Sequence, residues 1–404
     1  PDLKNHADGN NVAVKVKTTV VNESENTASV KVKHTIYPKN GTAEQAVATF
    51  ESTADTVEAG KSKEISAEDQ VSGIKLWSTD SPELYMVKTE VLVDNAAVDT
   101  YETDYGFRYF EFDKDNGFSL NGNKMKLQGV CMHHDQGALG SVANDRSTER
   151  QVEILKMMGC NKHGILVIDE AFDGWVAQKN GNSNDYSKWF NKTIEKDNQI
   201  MGAADGMTWA QFDLTAMIER GQNDPAIIMW SLGNEMWEGT SGYSDAYKTA
   251  QDNLVKWAKA VDTTRPVTTG DNKLKGNDTN SITLGQSLHD AGGINGMNYS
   301  QPWNQGKTHY DMIHEAHPDW CMYGSETASA VNSRGIYKGM GNQTDYGDYD
   351  LTSYDTSAVG WGATASSAWY EVIKRDFLAG EYVWTGFDYL GEPTPWNGTG
   401  EGKP

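Results

Sequence analysis

Cysteine is scarce. Cys131, Cys160 and Cys321 are the three in 404 residues, an odd number with no Cys-x-x-Cys spacing, so neither a disulfide scaffold nor a cysteine zinc site is expected. Positive charge is short as well. Lys plus Arg number 35 against 57 Asp plus Glu, a net of −22, so nucleic acid and anionic membrane surfaces would repel the chain. Long apolar runs are missing and the mean hydropathy is −0.64, which leaves no candidate membrane span. Against these shortages stand 13 Trp, 18 Tyr and 40 Gly. Flat aromatic faces beside carboxylates and amides suit sugars, whose C–H faces stack and whose hydroxyls need hydrogen bonds. A share of the rings serves the core instead.

The length suits two or three domains. From Val12 to Thr103 apolar and polar residues alternate, as in Val12-Ala13-Val14-Lys15-Val16-Lys17 and Val30-Lys31-Val32-Lys33-His34-Thr35-Ile36. Short strands of that kind, separated by polar turns, predict an immunoglobulin-like β-sandwich over residues 1–105. After Gly106-Phe107-Arg108 short apolar strands alternate with helical stretches, including Thr148 to Met158, Thr208 to Glu219 and Ser244 to Val261. Buried strands between helices mean a parallel sheet, so residues 106–404 are expected to form an α/β (β/α)8 TIM barrel. A doubly wound sheet is the alternative, but no Gly-x-Gly-x-x-Gly follows the first strand. Seven strands are countable rather than eight, because Cys160-Asn161-Lys162-His163-Gly164 joins the first helix directly to the next strand. One βα unit of roughly thirty residues is therefore expected to be missing there.

Barrel chemistry sits at the C-terminal ends of strands, which makes the search a directed one. Past the first strand come His133, His134 and Asp135, and past Ile168 comes Glu170. Trp230-Ser231-Leu232-Gly233-Asn234-Glu235 follows Met229, Tyr299 follows Met297, Glu326 follows Gly324, and Trp384 leads to Asp388. Each acid alone reads equally well as an ion-pair partner or a helix cap. Several at one rim suggest a carboxylate pair, as glycoside hydrolysis requires.

Other patterns carry less. His314-Glu315-Ala316-His317 spaces its histidines by three, not by the four of HExxH, and an exposed helix end is the better reading. Gly242-Tyr243-Ser244-Asp245 lacks the second glycine of a nucleophile elbow. His133-His134-Asp135 has no second histidine pair to complete a metal site, which favours sugar hydroxyls as its ligand.

These segments resemble family 2 of the glycoside hydrolases, and its β-galactosidases in particular. Trp230-Ser231-Leu232-Gly233-Asn234-Glu235 is similar to the family's acid/base segment, and Tyr323-Gly324-Ser325-Glu326-Thr327-Ala328-Ser329 to its nucleophile segment. Gly129 to Gly140 resembles its first-strand loop, and Val383 to Pro395 its last-strand segment. The resemblance implies a sugar-binding jelly roll, an immunoglobulin-like sandwich and a TIM barrel. Against that plan the chain is expected to be N-terminally truncated, without the jelly roll, the second barrel unit and the last barrel helix.

Carried over residue by residue, the resemblance makes Glu235 the general acid/base and Glu326 the nucleophile of a retaining exo-β-galactosidase. Asn234 would bond the sugar 2-hydroxyl, Tyr299 would sit against the nucleophile, and Trp384 would lie under the sugar ring. His133, His134, Asp135 and Glu170 would line the site near the glycone. Some family members hold Mg²⁺ soon after the third strand; Asp169-Glu170-Ala171-Phe172-Asp173-Gly174-Trp175 departs from that pattern, so no metal and no other cofactor is expected. The expected partner is a β-galactoside oligosaccharide or glycoconjugate, with no nucleic acid and no membrane span; a homo-oligomer is left open. The compartment is not readable. The rivals are a β-glucuronidase, disfavoured because Gly391-Glu392-Pro393-Thr394-Pro395 stands where an Asn-x-Lys stretch would hold the substrate carboxylate, a β-mannosidase, and a catalytically inactive carbohydrate-binding fragment.

Overall fold

The computed structural model describes residues 1–133, 136, 139–140, 142, 144–160, 165–181, 185–300, 307–337 and 352–387. The chain divides into two compact units, one of Pro1–Phe110 with Leu120–Asn123 and Asn223–Ala226, the other of the remainder.

In the first unit the period-two pattern becomes two antiparallel sheets. Strands β1 (Val12–Val21) and β5 (Ser62–Val71) pair from Val12 opposite Val71 to Val21 opposite Ser62. The other sheet is built around β2 (Ala28–Pro38), which pairs with β3 (Ala48–Glu51), β4 (Asp55–Val57) and β6 (Tyr85–Val93); β7 (Ala96–Tyr105) adds to β6. Alternate side chains turn inward. Val12, Val14, Ala67 and Val71 pack on Ile36, Phe50, Tyr85 and Val87, while Val20 and Ile65 pack on Val30, Val32 and Val57. Each fully buried aliphatic chain contributes about 1.5–3 kcal/mol. Asp94 and Asn95 turn β6 into β7 with φ of 51° and 62°, the paired left-handed residues of a two-residue hairpin. Buried His34 meets Thr89 Oγ1 at 3.0 Å through Nδ1, and burial pushes it down to about 4.

A three-stranded sheet of β8 (Phe110–Asp113), β9 (Gly117–Leu120) and β10 (Asn123–Met125) follows, in the order β10-β9-β8. The second unit then builds a curled, all-parallel sheet. Its strands are β11 (Leu127–Val130), β12 (Val167–Glu170), β13 (Ile227–Asn234), β14 (Val267–Asp271), β15 (Ile294–Asn298), β16 (Met322–Ala328) and β17 (Leu378–Trp384). Between them lie α1 (Asp145–Met158), α2 (Ser187–Phe190), α3 (Trp209–Gly221), α4 (Asp245–Val261), α5 (Thr279–Asp290), α6 (His309–Ala316) and α7 (Ala365–Ile373). The order is β11-β17-β16-β15-β14-β13-β12, so the first strand pairs with the last, and from β12 to β17 spatial neighbours follow chain order, each joined to the next through a helix. Among the described residues β11 and β12 do not pair, and the second strand of an eight-stranded ring would stand between them. That is where the sequence is short.

The helices begin where the sequence supplies caps. Asn144 accepts from Ser147 N–H ahead of α1, Thr208 from Gln211 ahead of α3, and Asp278 from Asn280 and Ser281 ahead of α5. β13 is buried on both faces, as a central parallel strand should be. Trp230 on it sits in a core with Leu214, Ile218 and Leu254 of the flanking helices, and its Nε1 donates to Asp262 Oδ2 at 3.0 Å. Arg265 Nη1 donates to the same carboxylate oxygen at 2.8 Å. The expected absence of the last barrel helix concerns a part of the chain outside the described residues.

Candidate active site

The parallel order brings the ends of β13, β15 and β16 together, and with them Asn234, Glu235, Asn298, Tyr299 and Glu326. Four non-glycine residues there adopt left-handed backbone: Glu235 (φ 48°), Tyr299 (50°), Ala328 (65°) and Ser329 (58°). Each such residue costs about 1–2 kcal/mol and persists only where its surroundings impose it. They do so by hydrogen bonds between strands. Glu235 N–H donates to Gly270 O at 2.9 Å, and Tyr299 N–H to Glu326 O at 2.8 Å.

The side chains join in one network. Asn298 Nδ2 donates to Glu235 Oε1 at 2.9 Å and to Asn234 Oδ1 at 2.8 Å. Asn234 Nδ2 donates onward to Glu326 Oε1 at 2.6 Å, and Tyr299 Oη donates to Glu326 Oε2 at 2.9 Å. Ser325 Oγ donates to Asn298 Oδ1 at 2.6 Å, and Ser329 Oγ donates to Tyr299 Oη at 3.0 Å. Both carboxylates therefore hang from one chain of two amides. Room for it comes from missing side chains: a Cβ on Gly270 would lie 2.4 Å from Asn234 Oδ1, and one on Gly296 2.7 Å from Ser325 Oγ.

Burial governs the charges. Glu326, 8% exposed, is pushed up to about 8, first by burial and then by the charge of Glu235, with Tyr299 and Asn234 acting against it. Burial raises Glu235 too, opposed by the Asn298 bond and the Lys179 charge. The charge of Glu235 raises Glu326, so the two carboxyls titrate as a pair rather than singly. Glu326 accepts two donors and Glu235 one from this network, and these bonds oppose burial without cancelling it.

The other expected residues are more scattered. Trp384, at the end of β17, meets His133 edge to face with ring centres 4.8 Å apart. Thr385 Oγ1 donates to Cys131 O at 2.8 Å, which ties the ends of β17 and β11 together. Glu170, at the end of β12, accepts from Ser231 Oγ at 2.6 Å, while His134 and Asp135 lie outside the described residues. Asp388 and Gly391-Glu392-Pro393-Thr394-Pro395 lie outside them as well. The two histidines with zinc-like spacing are stacking groups, His314 on Phe377 at 3.9 Å and His317 on Trp320 at 4.0 Å. Among the described residues no group of three or more His, Cys, Asp or Glu is placed to hold a metal ion. The strand-end search passed over Asn298, Ser325 and Lys179. For the first two the available signal was Gly270 and Gly296, where a missing side chain marks close approach; Lys179 gave none.

The chain is similar over nearly its whole length to proteins of one family. Residues 1–108 match the model described as glycosyl hydrolases family 2, and residues 155–291 match the family 2 TIM barrel domain. Beta-galactosidase BoGH2A of Bacteroides ovatus is 31% identical over 96% of this chain and 48% of its own length. A beta-glucuronidase of Bacteroides fragilis is 26% identical over 78% of this chain and 44% of its own. The crystal structure of a glycosyl hydrolase family 2 member from Bacteroides cellulosilyticus superposes with a TM-score of 0.70 at 28% identity, covering 94% of this chain and 42% of that one. The chain thus spans about half the length, or less, of the relatives it matches.

Proposed function

The chain belongs to glycoside hydrolase family 2, and on that premise we propose that it serves as a retaining exo-β-galactosidase acting on terminal, non-reducing β-D-galactosides. The observation that carries the mechanism is the shared amide chain, Asn234 to Glu326 at 2.6 Å and Asn298 to Glu235 at 2.9 Å. Glu326, ionised, attacks the anomeric carbon. Glu235, protonated, gives its proton to the leaving oxygen. A covalent galactosyl-enzyme forms, and Glu235 then takes a proton from the water that releases the sugar. Retention needs the carboxyls about 5–5.5 Å apart, against roughly 6.5–9.5 Å for inversion. Tyr299 and Asn234 favour the ionised nucleophile, and as Glu326 loses charge to the sugar, Asn234 is freed to bond the 2-hydroxyl. Trp384 lies under the ring, with His133 and Glu170 near the glycone. No step calls for a metal.

The galactose assignment rests on the likeness to BoGH2A of Bacteroides ovatus, which is called a beta-galactosidase. A beta-glucuronidase among the relatives favours a second reading, the same machinery on a glucuronide. Initial rates on an aryl β-galactoside and the matching β-glucuronide separate the two. Turnover of the galactoside alone, reduced at least about 10³-fold by Glu326→Gln, is expected. Turnover of the glucuronide alone would overturn the sugar assignment, and full activity of Glu326→Gln would overturn the mechanism.

A further inference from the structure

The peptide between Asn234 and Glu235 is gripped at both ends. Its carbonyl accepts from Lys179 Nζ at 2.7 Å, and its N–H donates to Gly270 O at 2.9 Å. Glu235 has φ 48° there, a conformation that such grips must enforce. Lys179 comes from a separate segment, beyond β12, and is itself fixed. Its own N–H donates to Asp185 Oδ2 at 2.7 Å, and Asp185 Oδ1 accepts from Ser187 N–H at 3.0 Å. Its side chain is 14% exposed, while its ion-pair partner Asp173, 2.9 Å away, is 78% exposed. Covering an ammonium costs desolvation that a loop tether in water would avoid. Here the covered charge is aimed at the backbone of the acid/base.

We propose that Lys179 is a positioning residue for Glu235, holding the backbone of that residue in place. The proposal rests on reading Glu235 as the acid/base. Several charges face Glu235 besides Lys179: Asp173 and Glu238, Asp271 and Lys275 from the end of β14 onward, and Glu326 on β16. Lys179 and Lys275 favour the carboxylate, and the four acids oppose it. Lys179 also holds the Asn234 carbonyl, at 2.7 Å.

The test is a carbon-13 titration of the glutamate carboxyls of the full chain, with Glu235 assigned by the signal lost in Glu235→Gln. Lys179→Met is expected to raise the Glu235 midpoint by about one unit and Lys179→Arg to return most of it. Lys179→Gln, which keeps a donor without charge, replaces the Met variant if that one does not fold. In parallel, kcat/KM of Lys179→Met should fall about 10-fold or more for an aryl β-galactoside with a poor leaving group, and far less for the dinitrophenyl galactoside, which needs no acid. A midpoint unmoved in a folded Lys179 variant, or equal losses on both substrates, would overturn the role. Glu235→Ala separates that failure from a failure of the acid/base reading. If it spares the dinitrophenyl substrate and loses the other, the reading holds and Lys179 alone is in question. Loss of both or of neither would sink the reading on which the proposal rests.

Discussion

The sandwich surface and the buried acids at the barrel strands treat charge in opposite ways. In the sandwich, Asp55 is lowered chiefly by its bond to Lys63 and Glu90 by its bond to Lys88, so charge is held where it is favoured. In the barrel, burial pushes Glu326 up to about 8 and Glu381 up to about 7, so charge is held where it is disfavoured. The backbone divides along the same line. Left-handed residues of the sandwich are Asn11, Asp94 and Asn95 in turns, types that tolerate that conformation, whereas those at the barrel rim are Glu235, Tyr299, Ala328 and Ser329. One unit is arranged for stability; the other gives stability up at the place where a reaction needs raised carboxyls and fixed side chains.

The sharpest way to break this contrast is Glu326→Gln. Besides the loss of rate, the substitution should stabilise. The folded carboxyl sits at about 8 against an ordinary 4.5, so its contribution is present below about 4.5 and is lost as pH rises toward 8. Melting followed from pH 4.5 to 8 should show the wild type falling relative to Glu326→Gln, which lacks that slope. Glu381→Gln should do the same over the window ending near 7, and parallel curves for either variant would contradict the account.

Packing should matter equally in both units. Arg265→Met strands the buried Asp262 carboxylate and is expected to cost about 3–5 kcal/mol by denaturant midpoint. Ile36→Ala empties a site in the sandwich core and should cost about 2–5 kcal/mol without changing the rate of protein that remains folded. His34 supplies the opposite pH dependence to Glu326. Its folded value of about 4 lies under the ordinary 6.5, so its contribution is present above 6.5 and is lost as pH falls toward 4; His34→Leu should flatten acid unfolding in that window. Smallest of all, Lys63→Met on the sandwich surface should leave the melting temperature within error.

Much of this was legible beforehand, for reasons that differ by element. Alternation marked β1, β2 and β6 because one face of each meets water. Reading past the strand ends reached Asn234, Glu235, Tyr299 and Glu326, because a parallel barrel collects its strand ends at one rim. The amide chain was not legible. Asn298 reaches Asn234 and Glu235 from another strand, and the glycine two residues before it hints at a close approach without naming partners 64 and 63 positions away. Lys179 escaped for the same reason, its acceptor being a backbone carbonyl 55 residues on. The seven-strand count, by contrast, was readable from the short link after α1, and among the described residues β11 and β12 do not pair.

The most direct test of the carboxylate pair is covalent trapping. A 2-deoxy-2-fluoro β-galactoside with an activated leaving group slows release of the sugar, and mass spectrometry of the digested protein locates the ester. The account predicts one fluorogalactosyl group on the peptide carrying Glu326, and none in Glu326→Gln. A label on any other carboxylate, or none on a chain that turns over the galactoside, would contradict it.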